Sequence, residues 1–128
     1  MPKYRIIISV DDYVKYEDVE KYISELFTGL TINWEDILIL GFGGKEKEDI
    51  AHRFASENAI EVKDFQADIE QFGPIDAYSV RFNAMLDYAI SDGCAGMLFI
   101  FHKKYNNHKQ EAIRAAKRYG LQVFTVGV

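Results

Sequence analysis

The stretch Gly41-Phe42-Gly43-Gly44 lies between an apolar run and a helical pattern, the place where a backbone can cradle a phosphate. Glycines there permit positive φ and let the main chain approach an anion at the positive end of a helix. Position 46 is Glu, so the G-x-G-x-x-G fingerprint is absent, and no Gly-Lys-Ser/Thr follows, so this is not a P-loop. The plainer alternative is a tight turn joining strand to helix. Lys45 can pair with a phosphate, whereas Glu46, Glu48 and Asp49 repel a bare one; a ribose diol suits a carboxylate better. His52, His102 and His108 lack metal-ligand spacing, and no metal or other cofactor is expected. At the end of an apolar run, His102 is better placed than His52 for ligand contact or proton transfer, though a solvated loop histidine is the plainer reading. The lone Cys94 reads as a small apolar packing group, and no G-x-S-x-G nucleophile elbow occurs. Tyr13, Tyr16, Phe42, Phe72, Tyr78, Phe82 and Tyr105 fall in or beside candidate loops, where rings stack on a base or line a subunit interface.

The elements that must position these residues alternate. Ile6-Ile7-Ile8 with Val10 forms a β-branched run of the kind covered on both faces. Val19, Tyr22, Ile23, Leu26 and Phe27 then recur at helical spacing, with Gly29 as the stop. A strand over 37–40 leads through the glycines to a helix containing Ile50, Ala51, Phe54 and Ala55, then to a short strand over 59–62. The stretch 64–77 has no clear assignment beyond one helical turn plus loop over Phe65 to Gly73, and its length marks it as a candidate functional loop; Pro74 breaks it before a helix over 78–90. A very apolar strand over 96–101, a helix from Asn107 closing at Gly120, and a strand over 121–126 complete the chain. The pattern predicts an α/β fold: a doubly wound, mainly parallel five-stranded sheet with helices on both faces. Ligands in such sheets bind beyond the carboxyl ends of the strands, where strand order reverses. That directs attention to residues 9–13, 41–48, 64–81 and 102–108.

The 128 residues fit one domain, 48% apolar and 27% charged, with no repeat or linker. Fifteen basic against twenty acidic residues give −5, the wrong sign for a generic phosphate-backbone binder, so nucleic acid is not an expected partner. No stretch reaches the ~18–20 apolar residues that span a bilayer, and the short run in MPKYRIIISVDD ends in two aspartates rather than a cleavage site. A soluble cytoplasmic protein without membrane association is expected.

The order of pieces resembles the SLOG superfamily, in particular its YspA-like branch of small bacterial and phage proteins, related to the lysine-decarboxylase-like phosphoribohydrolases and to DprA. The parallels are IIISVDD, GFGGKEKEDIAHRFA, Phe65-Gln66-Ala67-Asp68-Ile69 with Gly73, Arg81-Phe82-Asn83-Ala84-Met85, and FIFHKKYNNHKQEAIRAAKRYGLQVFTV, which together span nearly the whole chain. Where the family pattern has Arg, Gly and Asp in its glycine loop, this chain has Lys45, Glu46 and Glu48. Phe82 stands where the family has Asn, with Asn83 one place later; Asn107-His108 replaces a Gly-Thr phosphate turn, and Val10-Asp11 a Ser-Arg pair.

The resemblance implies a binder, sensor or hydrolase of nucleotide derivatives, including ADP-ribose-like molecules and cytokinin-type nucleotides. The expectation is a nucleotide-derived small ligand bound without turnover. Gly43 and Gly44 admit it, Lys45 and Arg81 supply positive charge and Glu48 accepts from ribose hydroxyls. Ser9, Asp11, Gly41, Ser79, Asn83, His102, Asn107 and His108 complete the candidate set. Two alternatives stand beside it. One is N-glycosidic or phosphoribosyl hydrolysis with Glu48 as the catalytic carboxylate, by likeness to a Gly-Gly-Gly-x-Gly-x-x-x-E motif, tested by base release from nucleoside monophosphates. The other is an interaction domain whose aromatic surface holds a homo-oligomer or another protein. Arg81 binds a ligand anion or else pairs with Asp68 or Asp76.

Overall fold

The computed structural model describes residues 3–43, 49–103 and 107–128. Five strands, β1 (Tyr4–Val10), β2 (Ile37–Gly41), β3 (Glu61–Asp64), β4 (Ala95–His102) and β5 (Gln122–Gly127), alternate with four helices, α1 (Tyr16–Gly29), α2 (Ile50–Glu57), α3 (Ile69–Ala89) and α4 (Asn107–Tyr119). The strands form one all-parallel sheet in the order β3-β2-β1-β4-β5. Right-handed crossovers then put α1 and α2 on one face and α3 and α4 on the other.

Strand alternation divides the core accordingly. Ile6, Ile8, Ile39 and Phe99 pack with Val19, Ile23 and Phe27 of α1 and Phe54 of α2. Ile7, Leu40, Leu98 and Ile100 point the other way, to Met85, Leu86 and Ala89 of α3 and Ala116 of α4. Burial on both faces is why β1, β2 and β4 read as continuous apolar runs rather than alternating ones. Among the described residues, no helix is long and apolar enough to cross a membrane.

Two local expectations, on the third strand and on residues 64–77, are corrected. The third strand runs Glu61–Asp64 rather than 59–62, because Ala59 takes a left-handed turn conformation (φ 53°) and Ile60 N–H closes α2 onto the Ala55 carbonyl. α1 ends at Gly29 as expected; the left-handed residue that follows it is Thr31 (φ 58°), and the Ile32 N–H returns to the Phe27 carbonyl. Most of the expected 64–77 loop is helical. Asp68 caps α3 by accepting from the Gln71 N–H at 3.1 Å, and Gly73 (φ 80°, ψ 168°) breaks the helical path. Pro74 therefore opens a second helical segment, where its missing N–H costs nothing.

Candidate functional site

Strand order reverses between β1 and β4, since the chain leaves β1 toward β2 and β3 and later returns on β1's other side. Asp11, one residue beyond β1, holds this point together. Its N–H extends the ladder to the Phe101 carbonyl at 3.0 Å, Oδ2 accepts from the Lys103 N–H at 3.0 Å, and Oδ1 lies 2.8 Å from Lys109 Nζ in the first turn of α4. One carboxylate thus ties the ends of β1 and β4 to the start of α4, where the helix dipole also favours negative charge.

An outer cleft of about 480 Å³ opens beyond β1, lined by Ser9, Asp11, Asp12, Tyr13, Phe42, Asp49 and Ile50 among others. Among the described lining residues three are aspartates and none is Lys or Arg. Tyr13, at the rim, is 92% exposed and holds a left-handed φ of 70°, a conformation costly for a bulky side chain. A second pocket of about 230 Å³ shares Ser9 and Asp11 with the cleft but is otherwise walled by Phe82, Leu98, Ile100, Lys109 and Ala112 on the α3/α4 face. It leads into a groove of about 340 Å³ between those helices, with Tyr78, Ser79, Asn83, Glu111 and Arg118.

The turn after β2 supplies the cleft's other wall. Gly41 is buried, and a side chain there would run into the Asp64 carboxylate and the His52 ring. Gly43 sits at φ 108° and its carbonyl accepts from Gln66 Nε2 at 3.1 Å. Asp49 caps α2, accepting from the Ala51 N–H at 2.9 Å, so the helix end on which a phosphate was expected already carries an internal carboxylate. His52 lies between two acids, with Nδ1 3.0 Å from Asp49 and Nε2 2.8 Å from Asp64; these are close charge contacts rather than aligned hydrogen bonds. Burial pulls the imidazole pKa down, but the two carboxylates outweigh it and hold it above the usual value.

Arg81 meets neither Asp68 nor Asp76. Nη1 donates to the Phe42 carbonyl at 2.7 Å, and the guanidinium lies 5.1 Å from both the Phe42 and Tyr78 ring centres. Among the described residues no carboxylate is within ion-pair distance, and Nε is buried without a partner. Burial, which disfavours the charged form, lowers its pKa from the ordinary arginine value.

The structure therefore brings Ser9 and Asp11 together in the cleft, whereas Gly43 and Arg81 line none of the three cavities, Arg81 reaching the cleft wall only through the Phe42 carbonyl. Ser79 and Asn83 line the helix groove instead, and His102 ends β4 outside both cleft and pocket. Gly44, Lys45 and Glu48 lie outside the described residues, as do the side chains of Asn107 and His108. Sequence reasoning left out Asp12, Asp49 and Lys109 as site residues. Lys109 had a readable signal, because a lysine in a helix's first turn opposes the dipole unless an acid answers it. The chain matches no protein-family model, no curated protein and no solved structure.

Proposed function

We propose that this chain is a divergent SLOG-like domain that binds a nucleotide-derived small molecule, of ADP-ribose or nucleoside-phosphate type, at the strand-order reversal without turning it over. The observation that carries the reading is Arg81, which lines none of the three cavities itself but is a partly desolvated cation, without an acid partner among the described residues, bonded to the carbonyl of Phe42 in the wall of the outer cleft. A ligand phosphate supplies the missing charge, and the aspartate-lined cleft takes the hydroxyl-bearing sugar, since carboxylates accept from hydroxyls and repel phosphate. The motif order from β1 to Arg81-Phe82-Asn83 supports the same assignment. Calorimetric titration with ADP-ribose, NAD, cyclic ADP-ribose isomers and nucleoside monophosphates tests it; heat with at least one is expected, and silence from all of them removes the reading.

A second reading, assembly into a homo-oligomer, is favoured by the apolar side chains that the first half of α3 leaves exposed: Ile69, Phe72, Ile75, Tyr78 and Val80, with Ile75 83% exposed. Light scattering of the native chain should show a mass above the monomer, and Ile75→Glu should reduce it. A native monomer at high concentration rejects this reading.

A further inference from the structure

The pocket behind the cleft has the opposite chemistry to the cleft itself. Leu98 and Ile100 of β4 are 0% and 2% exposed and form its floor, Phe82 and Ala112 form its sides, and Ser9, Asp11 and Lys109 supply its polar mouth. That mouth is internally matched in charge, since Asp11 and Lys109 face each other at 2.8 Å, so the pocket suits an uncharged group with a polar edge. Phe82 is half-buried against the apolar cluster that includes Leu98 and Ile100, and among the described residues it enters no ring–ring or cation–ring contact, so no other ring or cation there competes for the part of it that lines the pocket. Ser9 and Asp11 line both spaces, so the cleft and the pocket adjoin at these two residues.

Resting on the function proposed above, we infer that the pocket is the ring subsite of the same ligand: its planar heterocyclic base lies against Phe82 while its sugar occupies the aspartate-lined cleft. The groove that continues past Phe82 and Ala112 gives room for a substituent on the base. Stacking of a base on an aromatic ring corresponds to roughly 5- to 100-fold in affinity. The test compares AMP with ribose 5-phosphate, which differ by the base, on the native chain and on Phe82→Ala and Phe82→Leu. The second variant keeps apolar bulk without a ring face, and melting temperatures establish that both fold. The native chain should bind AMP at least fivefold more tightly than ribose 5-phosphate, and both variants should remove most of that difference while leaving ribose 5-phosphate affinity unchanged. Equal affinity for the two compounds, a Phe82 effect common to both, or binding of ADP-ribose without AMP overturns the inference and leaves the proposed function standing. No binding by any nucleotide overturns both.

Discussion

His52 shows how one side chain can serve structure at the edge of a candidate site. Gly41, by having no side chain, lets His52 and Asp64 approach over the end of β2, and Asp49 closes the contact from the α2 cap. With its pKa raised in the fold, the stabilisation His52 contributes is complete below its unfolded value near 6.5 and is lost as pH rises through the higher folded value. The melting-temperature difference between the native chain and His52→Gln should therefore shrink as pH climbs from 6 to 9; a difference independent of pH would contradict the assignment. From sequence, His52 read as a flanking helix residue, because neither carboxylate partner is recognisable until β2, β3 and α2 converge. Ser9 and Asp11 were legible for the opposite reason, since any residue just past a both-face-buried strand must stand at the sheet's carboxyl edge. Arg5 precedes the apolar run of β1 in the sequence, with nothing beside it to announce burial. It is 2% exposed within β1, donating to the Tyr88 carbonyl at 2.6 Å and pairing with Asp92 at 3.1 Å.

At the scale of elements, β1, β2 and β4 could be read directly because each is a continuous apolar run, and α4 because Gly120 (φ 90°) ends it as its position suggested. α3 was half legible. Met85, Leu86 and Ala89 gave away its buried end, but the Gly73-Pro74 pair reads as a loop, and only the fold shows that it joins two helical segments. The conformation at Gly73 belongs almost solely to glycine, and an added Cβ would meet nothing within 4 Å, so the cost of a side chain there is conformational rather than steric packing. Gly73→Ala should lower stability by about 1–3 kcal/mol in urea unfolding. An unchanged or raised midpoint would mean that α3 can run straight through position 73. The break bears on the proposed site because the second segment carries Arg81 to the Phe42 carbonyl and Phe82 to the pocket wall.

For the molecule as a whole, the net charge of −5 conceals a divided crevice. Aspartates crowd the β1 and α2 side, Lys109 is already matched by Asp11, and Arg81 stands behind Phe42 without an acid among the described residues. Composition could not show this division, because it arises from which strand ends the topology makes neighbours. On the proposed function, Arg81 is held for a ligand anion. The most direct measurement is calorimetric affinity for the best-bound nucleotide, taken together with melting temperature, for the native chain and Arg81→Met. Loss of a charge-assisted hydrogen bond, about 1.5–3 kcal/mol, should weaken binding roughly 10- to 100-fold with the melting temperature nearly unchanged. A large fall in melting temperature with affinity retained in the folded protein would contradict the claim and make Arg81 a strut between α3 and the β2 turn.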